Sequence, residues 1–84
     1  MKDTKILEKV GFELCSVPDS EGLTLELSDE KFQDSPFLEI RVDDNDVRWV
    51  RFFSSDTHIA MTLEAMEEAI ELAKKKVFNV SMDM

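Results

Sequence analysis

Leu23-Thr24-Leu25-Glu26-Leu27-Ser28 decides the fold. Leucine at every second position places three apolar side chains on one face of an extended segment. Thr24, Glu26 and Ser28 fall on the other, which is the period of a half-buried strand. Leu38-Glu39-Ile40-Arg41-Val42 repeats the alternation equally well.

Reading outward, Phe12 to Val17 forms an expected first strand, joined to the leucine strand through Pro18-Asp19-Ser20-Glu21-Gly22. Proline presets φ in that turn, and Gly22 is expected to supply a backbone conformation that other residues reach only with strain. A polar loop from Asp29 to Pro36 leads to the 38–42 strand. The tetrad Asp43-Asp44-Asn45-Asp46 then turns the chain, because Asn and Asp tolerate left-handed backbone and bond their own main chain. Val47 to Phe53 follows as a fourth strand, and His58 to Met61 as a short fifth. Tight turns between successive strands require antiparallel pairing.

Two helices frame the strands. Toward the C-terminus, Thr62 is a natural N-cap, and Met61 can staple to Met66. Leu63, Met66, Ala69, Ile70, Ala73 and Val77 recur at helical spacing, with Glu64, Glu67, Glu68 and Glu71 on the opposite face. Glutamates early and Lys74-Lys75-Lys76 late complement the helix dipole, so the spacing predicts a helix from 62 or 63 to about 77. Its Met66, Ala69, Ile70 and Ala73 are expected to pack on Leu23, Leu25, Leu27, Leu38, Ile40 and Val42. At the other end, Asp3 can cap a turn or two over residues 3–10, where Ile6, Leu7 and Val10 share a face before Gly11. The fold class is α+β: a single domain over 1–84, an antiparallel β-meander of four to five strands with a long C-terminal helix packed on one face and a short N-terminal helix.

Charge is the second strong signal. The 84 residues carry 19 acids against 10 bases, a net charge of −9. Between Glu13 and Asp46 there are eleven acids and two bases, so this stretch alone holds the whole imbalance. One contiguous region therefore sets the field that a partner meets on approach. A hydrophobic content of 43% is too high for a disordered acidic tail.

The chemistry-bearing residues are sparse. Cys15 is the single cysteine and His58 the single histidine, so neither an internal disulfide nor a histidine-based metal cluster is available. Cys15 reads as a small packed residue, its acidic neighbours Glu13 and Asp19 working against a reactive thiolate. The Asp43–Asp46 run fails as a calcium loop, because the sixth position is Arg48 where glycine is needed and the twelfth is Ser54 where a carboxylate is needed. No catalytic residue, metal ligand or cofactor is expected. Lacking an apolar leader or a run of ~20 apolar residues, the chain reads as cytoplasmic, and its acidity disfavours nucleic-acid backbones and membrane surfaces as direct partners.

What remains is binding to protein. Glu13, Glu26 and Glu39 are expected on the outward face of the sheet, with Asp43, Asp44 and Asp46 in the hairpin. Trp49 and Arg51 are residue types that anchor interfaces. In Val47-Arg48-Trp49-Val50-Arg51-Phe52-Phe53, the residues Val47, Trp49 and Phe53 point one way and Val50 and Phe52 the other. Such a strand calls for cover on both sides, from the N-terminal segment, a homodimer partner or a different protein. The expected function is a small non-enzymatic protein-binding module, an inhibitor or regulatory adaptor that engages a basic protein surface, for example as a nucleic-acid mimic or phage-type inhibitor. An immunity- or antitoxin-like neutraliser of a basic toxin is the alternative. A small enzyme or ligand-binding domain would need a concave pocket with convergent polar groups, for which this architecture leaves little room.

Overall fold

A computed structural model of the chain describes residues 4–16, 22–30, 35–53 and 56–78. Six strands precede one helix: β1 (Thr4–Ile6), β2 (Val10–Ser16), β3 (Leu23–Asp29), β4 (Leu38–Val42), β5 (Arg48–Phe52), β6 (His58–Ala60) and α1 (Leu63–Lys76). Strands β2-β3-β4-β5 form an antiparallel meander in sequence order, and β1 pairs with β6 in a separate two-stranded sheet. The α+β architecture expected from the alternation stands. Most of the turn around residue 20 and part of the loop before β4 lie outside the described residues.

The alternating leucines do what their spacing requires. Leu25 and Leu27 are fully buried, with Leu38 and Ile40 beside them on β4. Ala69, Ala73 and Val77 of the C-terminal segment close the core, and Phe12, Phe37, Met61, Met66 and Leu72 pack around it. Thr62 holds an extended backbone (φ −69°, ψ 154°), and its Oγ1 accepts the Ala65 N–H at 3.1 Å. One of the orphan amides at the helix start is thereby satisfied. At the far end the Val77 N–H donates to the Ala73 carbonyl at 2.8 Å.

Three expectations need correction. The helix expected over residues 3–10 is not formed by the described residues 4–10: residues 4–6 run parallel to β6, with Thr4 opposite His58, Lys5 opposite Ile59 and Ile6 opposite Ala60. The Leu7 N–H extends this pairing to the Ala60 carbonyl at 2.9 Å. Two isolated helical turns satisfy few of their own amides, whereas pairing with β6 satisfies them in register. Accordingly His58–Ala60 does not extend the meander as a fifth antiparallel strand.

The helix is also rotated from its expected face. Ile70 is 42% exposed and Leu63 70% exposed, while the small residues Ala69 and Ala73 are buried. Small side chains let the helix backbone approach β2 and β3 closely, and Ile70 is left toward the flank. Gly22 is the third case. No glycine among the described residues has positive φ. Glycine is required there because a Cβ would collide with the Phe78 carbonyl. The constraint is close backbone approach, not left-handed geometry.

Candidate functional site

Antiparallel register builds the acidic face. Glu13 lies opposite Glu26, Glu26 opposite Glu39, and Glu39 opposite Arg51, so the four residues form one row across four strands. Residues directly opposite share a face, and this row is on the face away from the leucine core. Three of the expected binding residues are therefore brought together with Arg51, and Trp49 joins them on that face opposite Arg41.

Their electrostatic states differ. Glu39 is only 5% exposed. Its Oε1 lies 3.4 Å from Arg51 Nη1 and 3.7 Å from Arg41 Nη1, so two guanidinium groups neutralise it. Arg51 also stands over the Phe53 ring at 5.2 Å. Glu13 and Glu26 are different, because no salt bridge or hydrogen bond joins either carboxylate to a cation among the described residues. Opposed like charges of this kind destabilise a strand pair. The Cys15 thiol sits between them and donates to Glu26 Oε1 at 3.3 Å. Burial, that hydrogen bond and the charges of Glu26, Glu13 and Glu39 push the thiol up to about 11.

One carboxylate oxygen each from Glu13 and Glu26 and the Cys15 sulfur lie within 4.8 Å of one another, a set that could in principle ligate a cation. A thiol that holds its proton this firmly resists metal ligation, since the thiolate is the ligand. Opposite Cys15, Thr24 is fully buried with no hydrogen-bond partner for its Oγ1.

The hairpin acids occupy different positions in the turn. Asp43 is structural: its Oδ1 accepts the N–H groups of Asn45 at 2.8 Å and Val47 at 3.0 Å. Its Oδ2 accepts the Trp49 indole N–H at 2.8 Å. These bonds, the indole first, hold its carboxyl below the usual value of 3.8. Asp46 takes the left-handed position of the turn (φ 61°), which aspartate tolerates. Asp44 is exposed at the hairpin tip.

Sequence reasoning missed an apolar cleft of about 490 Å³ between the end of the meander and the start of the helix. Phe37, Phe52, Phe53, Met61 and Met66 line it, with His58 at its wall. Its size falls in the small-molecule range, but a ligand site also needs several convergent polar groups. The signal was hidden because these residues meet only once β6 has paired with β1. Among the described residues, no helix is long and apolar enough to cross a membrane.

Comparisons with protein-family models, curated proteins and solved structures find no match.

Proposed function

We propose that this chain is a protein-binding module that acts without catalysis and engages a basic protein surface. The contact falls on the Glu13–Glu26 part of the sheet face, with the exposed Asp44 beyond it. The observation that carries this reading is the directly opposed Glu13–Glu26 pair, whose carboxylates have no cation partner among the described residues. A lysine or arginine brought by a partner would relieve that repulsion and gain charge-assisted hydrogen bonds. The Cys15 thiol, pushed up first by burial and then by Glu26, Glu13 and Glu39, lies within the same cluster of carboxylates. The net charge of −9 lends long-range attraction to a basic partner.

The test is capture of proteins on the immobilised chain at low and high salt, followed by binding kinetics for those retained. Attraction should weaken as the Debye length falls from ~10 Å at 0.1 M to ~3 Å at 1 M. The double variant Glu13→Gln, Glu26→Gln should lose retention mainly through slower association. Glu64→Gln, Glu67→Gln and Glu68→Gln together should change it less, since the lysines at 74–76 leave the helix near neutral. Retention insensitive to salt and to the sheet variant would sink the proposal.

A further inference from the structure

Strand β5 is an open edge of the meander among the described residues, and all five of its residues are exposed. Trp49 is 61% exposed, Val50 49% and Phe52 73%. Long apolar edges are usually covered or broken, because free backbone groups beside apolar side chains template pairing with another strand.

Hydrogen-bond phase shows which backbone groups are free. The Phe53 N–H donates to the Phe37 carbonyl, and the Asp43 N–H to the Val47 carbonyl, both at 3.0 Å. These pairs flank the β4–β5 register in which Glu39 faces Arg51 and Arg41 faces Trp49. Antiparallel pairs alternate between bonded and non-bonded, so Trp49 and Arg51 spend their backbone groups on β4. Arg48, Val50 and Phe52 turn theirs to the open edge.

We infer that this edge pairs with the same edge of a second copy, antiparallel about a two-fold axis through Val50, joining two meanders into one continuous sheet. This goes beyond the proposed acidic contact and does not depend on it. The strand is self-complementary in that register. Val50 faces Val50 of the partner copy, and Arg48 faces the partner's Phe52, so every free amide and carbonyl of Arg48, Val50 and Phe52 meets its counterpart. On the opposite face Trp49 stands beside the partner's Arg51. Arg51 thus meets an aromatic ring of the partner copy, the arrangement that favours cation–π contact.

Other registers do worse. Centring on Arg51 sets two guanidinium groups against each other, and centring on Trp49 leaves Phe52 outside the paired strands. Sliding by one residue brings the free groups of one strand against groups already bonded to β4. A basic foreign strand would oppose its own cations to Arg48 and Arg51, which favours the second copy as occupant.

Each copy carries −9, so distant charges oppose this association, and salt should tighten it by screening. That is the reverse of the response expected for a basic partner, so the two ideas fail separately. Sedimentation equilibrium should show the mass doubling with concentration, at lower concentration in high salt. Val50→Lys puts two ammonium groups on the axis at a position whose backbone makes no hydrogen bond to β4, and should remain a monomer. Leu63→Lys, at an equally apolar exposed site on the helix, should dimerise as the parent does. In the parent chain, amide exchange at 48, 50 and 52 should slow as concentration rises, while 49 and 51 stay protected throughout. If Val50→Lys fails to fold by circular dichroism, that exchange pattern decides alone. A monomer at millimolar concentration with rapid exchange at 48, 50 and 52 overturns the inference, as does a Val50→Lys dimer. So does slowing at those amides that appears only when another protein is added.

Discussion

Arg48 Nε donates to the Val77 carbonyl at 2.7 Å, tying the first residue of β5 to the end of the helix. Its Nη2 lies 3.4 Å from the Lys74 carbonyl, so one guanidinium caps two carbonyls that helix geometry leaves without amides. Arg48→Ala should lower stability by about 1.5–3 kcal/mol, the range for a hydrogen bond to a charged group. Arg48→Lys should recover only part, because a point charge cannot reach both oxygens at once. Urea unfolding of the three proteins checks the order.

The rotated helix makes a sharp contrast between neighbours. Ala69 is fully buried and Ile70 is 42% exposed. Ala69→Asp should abolish folding, since an unpaired carboxylate in the leucine core costs more than a small domain has to spare. Ile70→Asp should lower stability by no more than about 1 kcal/mol. Circular dichroism melts on both variants decide it, and equal damage would show the helix to be turned the other way.

Cys15 should react slowly with thiol reagents at neutral pH, about 100-fold more slowly than a cysteine of ordinary pKa, because so little thiolate is present. The rate should rise with pH toward about 11. Glu26→Gln removes the named hydrogen-bonded charge and should shift that profile downward. The linked effect on stability has a definite sign. The folded pKa lies above the unfolded one, so the protonated thiol contributes fully below 9.0, and that contribution is lost as pH rises toward about 11. Denaturant melts across this window should show a decline that Cys15→Ser lacks.

Asp43 holds the hairpin through three bonds of its own carboxylate. Asp43→Ala should free the Trp49 indole and speed amide exchange at Asn45 and Val47. Because the Asp43 carboxyl is depressed from 3.8, its stabilising contribution is present above that pH and is lost only as pH falls through the lower folded value. Trp49 fluorescence followed through an acid titration should therefore change below 3.8. A change already complete at higher pH would refute the assignment.

The meander and the single helix were legible because each rests on a local period: two in Leu23–Ser28 and Leu38–Val42, and three to four in Leu63–Val77. The Glu13–Glu26–Glu39 row was legible too, since outward positions in consecutive hairpins fall into line. What was not legible depends on pairing partners distant in sequence. Ile6, Leu7 and Val10 have helical spacing, and nothing nearby reveals that His58–Ala60 will supply their hydrogen bonds. Glu39 resembles Glu26 in sequence, yet register places Arg51 against it and changes its electrostatic state. Ile70 is a stronger hydrophobe than Ala69, but the closeness of the sheet admits only the smaller side chain.

The parallel pairing of β1 with β6 carries a consequence for the order in which the molecule assembles. Every contact in the meander joins strands adjacent along the chain, so those hairpins can form as soon as each turn is made. Strand β1 must instead wait for His58, which closes a loop around the entire meander. Large loop closure is entropically unfavourable and slows the step that needs it. During synthesis the first strand therefore emerges early and stays unpaired while the four-stranded sheet takes shape. Its pairing follows the hairpins of the sheet it encircles.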